Sequence, residues 1–262
     1  MSALLPGRVV EKPWGRTQLP PPFAAPEGQR IGEIWFEPPP AFDVLVKYIF
    51  TSERLSVQVH PPGAAGKEEC WLVLDAEPDA RLAIGFREEI GADAMRAAAL
   101  DGSIVDLLGW HPVAAGDFFY IPAGTVHAIG AGVSLVEVQQ NRDVTYRLYD
   151  YGRPRELHLD EGVAVASGAP YDPALRRRLP ARGLVTLVEG PWFRLDRVDG
   201  PPPPDVAAHY PEALQVIPLA GSVAVAGEAV AAGGCAAAAG LAEVAIADDA
   251  LCLLARGCGK SA

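Results

Sequence analysis

Apolar and polar positions follow two rhythms along the chain. Residues 44–50 form a nearly unbroken apolar run of strand length, which predicts a strand buried on both faces. Residues 55–60 alternate apolar and polar side chains with period 2, the pattern of a half-buried strand. Residues 32–36, 70–74 and 80–86 add three short apolar pieces, with Pro78-Asp79 making the turn between the last two. Further strands are expected over 117–121, 126–129, 134–140 and 145–148. The segment 91–108 differs. Ala94, Met95, Ala98, Ala99 and Leu100 favour helix, and Ile104, Val105, Leu107 and Leu108 continue an amphipathic pattern after Asp101-Gly102. Two short helices are expected there, inserted in a β domain.

Residues 161–180 read as a connector. Beyond it, strand-like pieces recur at 185–188, 193–195, 214–217 and 222–225, which suggests a second small β barrel or sandwich. The pattern divides the chain into domains 1–165 and 166–262. The Ala/Gly-rich stretch 219–247 carries Glu228, Glu243 and many glycines, so it reads as short strands and turns and not as a membrane span. The second domain holds one histidine, His209, and no cluster of metal ligands, and a structural role is expected for it.

Charge narrows the function classes. The formal net charge is −11 over 262 residues. The triplet Arg176-Arg177-Arg178 is too short to make a basic footprint, which argues against nucleic acid as a partner. An anionic substrate would need a few cations placed locally. Cys70, Cys235, Cys252 and Cys258 form no Cys-x-x-Cys pair and do not read as a disulfide framework. Residues 1–15 lack the apolar core of a signal peptide. The expectations that follow are a cytoplasmic location, no membrane contact and a monomer.

Candidate chemistry gathers in the first domain. Gln58 and His60 lie two apart on a strand, so both side chains point to one face. A turn and a second strand would bring Glu69 back beside them. Pro122 and Gly124 fix a turn before the strand that holds His127. Two imidazoles, a carboxylate and an amide oxygen form a mixed N/O set that suits zinc with one position open. Iron or manganese would also fit on ligand type. Of the five histidines, His111, His158 and His209 lie in turns or connecting stretches and are expected to be structural.

These motifs resemble a known family. Gly-x5-Pro-x-Gly-x2-His is the second cupin motif, met here by Gly116, Pro122, Gly124 and His127, with Ala131 where cupins usually carry Asn. Gln58 stands where many cupins have His. That departure resembles the type I phosphomannose isomerases, whose hallmark is Gln-x-His-Pro. Glu11-Lys12-Pro13-Trp14-Gly15, Gly32-Glu33-Ile34-Trp35, Gly66-Lys67-Glu68-Glu69-Cys70-Trp71, Gln139-Gln140-Asn141 and Tyr146-Arg147-Leu148-Tyr149-Asp150 are similar to that family, in order. The likeness covers most of 8–165, and the loop between His60 and Glu69 is shorter than in relatives.

The resemblance implies an all-β fold of two cupin-like, jelly-roll barrels, the second degenerate. It implies one Zn(2+) per chain on Gln58, His60, Glu69 and His127. Glu69 is chosen over the adjacent Glu68 because Lys-x-Glu matches the family spacing. Lys67 and Arg147 match the family's substrate-binding and catalytic basic residues, with Trp14 and Glu33 as further candidates for the pocket lining. The implied reaction interconverts mannose 6-phosphate and fructose 6-phosphate by proton transfer through a cis-enediol(ate). Lys67, Glu137 and a metal-bound water are candidates for the base. The rivals are a metal cupin of different chemistry, such as an iron oxygenase, and a non-catalytic sugar-phosphate binder.

Overall fold

The structure, a computed structural model, describes residues 2–40 and 42–259. Met1 and residues 260–262, the outer limits of the two expected domains, lie outside the described residues, as does Ala41. Strand takes up 43% of the described residues and helix 12%, so the fold is all-β as expected. Four antiparallel sheets stack in layers. Each half of the chain contributes two facing sheets in place of one ring closed by hydrogen bonds, an arrangement that jelly rolls share.

The central layer is a seven-stranded sheet. Its spatial order is Arg176–Arg178, Asp117–Ile121, Glu69–Ala76, Val133–Gln140, Val44–Phe50, Ile31–Phe36 and Arg8–Arg16. One face meets a five-stranded sheet ordered Tyr146–Tyr149, Val57–Val59, His127–Ile129, Arg81–Phe86 and Leu108–Pro112. Trp71, Leu82, Ile84, Phe119 and Leu135 fill the space between them. The other face packs Tyr48, Phe50, Phe118 and Val136 against Leu187, Phe193, Ile217 and Leu253 of the C-terminal half. Covered on both sides, the sheet needs apolar residues at successive positions. Every residue of Val44–Phe50 is buried, Lys47 included.

The expected helices are Ala92–Asp101 and Ile104–Leu107. Met95, Ala98 and Ile104 cover the outer face of the five-stranded sheet against Val57, Ala83 and Phe86. The C-terminal half pairs a six-stranded sheet with a three-stranded one around Val198, Tyr210, Leu214 and Leu254.

Several elements depart from the sequence pattern. Within 161–180 the chain finishes the helix Leu159–Val165 and then adds Arg176–Arg178 as an edge strand of the central sheet. Three consecutive arginines carry no apolar alternation. They are held by Asp117, which pairs with Arg176 at 3.3 Å and Arg178 at 3.2 Å, and by the rings of Phe118 and Phe119. Arg8–Arg16 and Leu108–Pro112 are also strands, and Ala3–Leu4 crosses to pair with Ala236–Ala238.

Candidate active site

The space between the first two sheets opens into a cavity of about 400 Å³. Its floor is set by registry. His127 sits opposite Gln58, and Gln58 opposite Arg147, so three neighbouring strands place these side chains in one row. Across the interior, Glu69 begins the strand Glu69–Ala76 and pairs with Gln139 and Ile121. Strand alternation turns Glu69 inward and its neighbour Glu68 outward, where Glu68 accepts a hydrogen bond from the Tyr120 hydroxyl.

Two loops aim the imidazoles. Gly124 has φ +84°, a left-handed conformation suited to glycine, and its N–H donates to the His60 carbonyl at 2.8 Å. The motif before His127 therefore grips the strand that carries His60. In the short loop between His60 and Glu69, a Cβ on Gly66 would stand 2.2 Å from the Pro61 carbonyl oxygen, so only glycine fits. The Lys67 N–H then closes the loop on that same carbonyl at 3.1 Å.

Hydrogen bonds fix the tautomers. His60 Nδ1–H donates to the Val144 carbonyl at 2.7 Å, and His127 Nδ1–H donates to the Thr125 carbonyl at 2.9 Å. Both Nε2 lone pairs are thereby left for the interior. Lys67 donates to His60 Nε2 at 3.1 Å, and the Gln58 amide donates to His127 Nε2 at 3.3 Å. Glu69 Oε2 lies 3.3 Å from His60 Nε2, and Glu69 Oε1 lies 3.4 Å from His127 Nε2. These are acceptors facing acceptors. The Lys67 ammonium stands 2.5 Å from Glu69 Oε2 and pairs with its charge.

Charge and burial set the protonation states. Burial lowers the His60 pKa, Lys67 lowers it further, and Glu69 only partly opposes them. Burial pushes His127 down to about 3 against the pull of Glu69. Burial would raise Glu69, but Lys67 and the two histidines hold it well below the usual carboxylate range. The cluster thus offers two neutral imidazoles and a carboxylate, the states in which these groups ligate metal. One donor atom from each of His60, Glu69 and His127 falls within 4.8 Å of the others. A tetrahedral ion with bonds of about 2.0–2.1 Å separates its ligands by roughly 3.3 Å. The residues present fit a divalent ion of the zinc type.

Beside this cluster runs a buried relay of alternating charge. Glu137 Oε1 lies 3.5 Å from both Lys47 and Lys67, and Trp71 Nε1–H donates to Glu137 Oε2 at 2.9 Å. Burial works against the Lys67 ammonium, yet Glu137 and Glu69 hold its pKa above the usual lysine range. Lys47 goes the other way. Burial lowers its pKa, and repulsion from Lys67 outweighs what Glu137 restores. It stacks over Trp35 at 3.9 Å.

All the residues singled out in the sequence meet this one cavity or its floor. Trp14, Glu33, Gln58, Lys67 and Arg147 line it, and His60, Glu69 and His127 form the cluster beneath. Glu33 is held as a carboxylate despite burial by Lys12 at 2.9 Å and by Lys47, and it accepts from Trp35 Nε1–H. Among the lining residues that the sequence did not single out are Lys47 and His158. Lys47 had one visible signal, a charge inside an otherwise apolar run. His158, expected to be structural, also lines the cavity. His111 lies away from this cavity, its ring against Phe119 and Tyr171.

No family model matches the chain. The chain is 40% identical over 169 residues to "Mannose-6-phosphate isomerase" of Streptococcus mutans, an alignment covering 58% of this chain and 53% of that protein. It is 42% identical over 143 residues to "Mannose-6-phosphate isomerase ManA" of Bacillus subtilis, covering 47% of this chain and 44% of that protein. The chain spans about half the length of these curated relatives. Among solved structures, the mannose 6-phosphate isomerase from Bacillus subtilis superposes with a TM-score of 0.73 at 22% identity, covering 97% of this chain and 98% of that one. A putative mannosephosphate isomerase from Archaeoglobus fulgidus gives 0.71 at 17% identity, covering 98% and 97%. At these identities the two structures establish the fold. The sequence relatives bear out the resemblance seen in the motifs.

Proposed function

We propose that this chain, similar as it is to mannose-6-phosphate isomerases, is itself a zinc-dependent isomerase that interconverts mannose 6-phosphate and fructose 6-phosphate. The observation that carries this reading is the convergence of His60, Glu69 and His127 beside the Lys47–Glu137–Lys67 relay, at the floor of a cavity large enough for a hexose phosphate. An iron oxygenase would share the ligand cluster but has no use for the relay.

His60, Glu69 and His127 would hold one zinc ion per chain, with Gln58 as a fourth ligand once its amide turns its oxygen inward. Bound there, the ion would act as a Lewis acid toward the sugar oxygens on C1 and C2. The protein's own groups do the rest. The open-chain aldose must lose a proton from C2 and gain one at C1, while a hydroxyl proton passes from O2 to O1. Lys47, whose pKa is lowered by burial and by Lys67, is suited to take the C2 proton and return it to C1. Glu137 bridges the two lysines and keeps Lys47 aimed. Lys67, firmly an ammonium, stabilises negative charge that develops on oxygen. Arg147, which has no carboxylate partner among the described residues, would bind the phosphate. Trp14 and Glu33 would shape the sugar end of the cavity.

No helix among the described residues is long and apolar enough to cross a membrane. A cytoplasmic monomer acting on a small sugar phosphate is the setting that accords with this reading.

The test is turnover of mannose 6-phosphate by protein as purified, after chelation, and after zinc is restored. Activity that disappears with chelator and returns with zinc is expected. Folded, zinc-loaded protein with no turnover would overturn the proposal.

A further inference from the structure

Arg147 is held from one side by a short segment that follows it in the chain. The His158 N–H donates to the Arg147 carbonyl at 2.8 Å, and the Arg147 N–H donates to His158 Nδ1 at 3.3 Å. The guanidinium donates to the Glu156 carbonyl at 3.2 Å. The second of these bonds fixes the chemistry of the imidazole. With Nδ1 accepting, the proton of the neutral ring sits on Nε2. No group among the described residues accepts that Nε2–H, and His158 lines the cavity beside Arg147.

Arg155, the other arginine on this wall, is already engaged. Its Nε and Nη2 bind Asp150 at 2.6 and 2.7 Å, a bidentate pair that occupies its fork, and the same carboxylate accepts from Arg153 at 3.1 Å. The wall therefore presents one guanidinium with no carboxylate partner among the described residues and one N–H donor side by side. A lone arginine satisfies two oxygens of a phosphoryl group in one plane, and the third oxygen needs a donor from another direction.

We propose that His158 is a substrate-binding residue that donates from Nε2 to a phosphoryl oxygen, while its Nδ1 positions Arg147 to grip the other two. This rests on the sugar-phosphate reading above and deepens it. It makes His158, beside Arg147, a residue that favours a phosphorylated hexose over a free one.

Two near-isosteric replacements separate the two ring nitrogens. His158→Asn keeps an acceptor near Nδ1 and loses the distal donor. His158→Gln keeps a donor near Nε2 and loses the acceptor. Mannose 6-phosphate kinetics and calorimetric titration with inorganic phosphate are measured on zinc-loaded protein, with melting temperature as control. A hydrogen bond to a charged group corresponds to about tenfold or more in affinity. For His158→Asn, KM and the phosphate Kd should both rise about tenfold, with kcat within about twofold and the melting temperature unchanged. His158→Gln should hold phosphate within about threefold of the parent. Unchanged phosphate binding in His158→Asn would overturn the inference. So would an equal loss in both variants with a lowered melting temperature, since that is a structural role. If the parent protein fails to turn over mannose 6-phosphate while the phosphate titrations still separate the variants, the anion site stands and the isomerase reading falls. The converse pattern sinks the anion site alone.

Discussion

Replacing Glu137 by Gln removes one negative charge from between two buried ammonium groups and changes little else. The amide is nearly isosteric and can still accept from Trp71 Nε1–H. Glu137, Lys47 and Lys67 are each under 5% exposed, so solvent does little to screen them. Each 3.5 Å contact is worth about 5 kcal/mol of Coulomb energy at an effective dielectric of 20, before desolvation is counted. Removing one partner of a buried ion pair costs a net of about 3–5 kcal/mol. For a chain of 262 residues that is a fall in Tm of roughly 6–10 °C. The loss should also depend on pH. In the parent fold the Lys47 pKa is already depressed, so the unfolded chain binds more protons below its own pKa near 10.4, and stability rises with pH toward that value. Without Glu137 the Lys47 pKa falls further. The variant then sheds the buried charge at lower pH than the parent, and its deficit shrinks as pH rises. Thermal unfolding of both proteins at pH 6.5 and 9.5, at fixed free zinc, measures this. A drop under about 2 °C at pH 6.5, or a deficit that grows with pH, would refute the electrostatic account of the relay.

Three further outcomes follow from the site. His127→Ala removes one of two imidazoles from the cluster, so zinc content after dialysis should fall from one per chain to near zero, read by elemental analysis, with the far-ultraviolet circular dichroism unchanged. Arg147→Lys exchanges a planar fork for a point charge; KM for mannose 6-phosphate should rise about tenfold in steady-state assays, and an unchanged KM would remove Arg147 from the phosphate site. Gly66→Ala places a methyl group against the Pro61 carbonyl and must shift the loop that carries Lys67, so kcat should fall by about tenfold or more while Tm changes by only a few degrees, and full activity would show that the loop tolerates the shift.

The sequence alone determined most of the strands and the two helices of 91–108, and it marked most of the candidate site residues. Period-2 alternation and unbroken apolar runs mark the strands because a sheet covered on one face or on two leaves that record in its residue order. Gln58, His60, Glu69 and His127 stood out as candidates because turn residues and strand spacing tie each to a local motif, whereas Lys67 and Arg147 were singled out only through the family resemblance. Arg176–Arg178 left no such record, since an edge strand held by Asp117 and two phenylalanine rings needs no apolar face of its own. The tertiary structure decided which distant residues share one space. Lys47 and Glu137 come together only because the strands Val44–Phe50 and Val133–Gln140 pair in a register that sets them opposite each other. His158 reaches the cavity only because its segment folds back along Arg147. Protonation also lay outside the residue order, because burial and the charges across the gap between two sheets push Lys47 and Lys67, two residues of one type, in opposite directions.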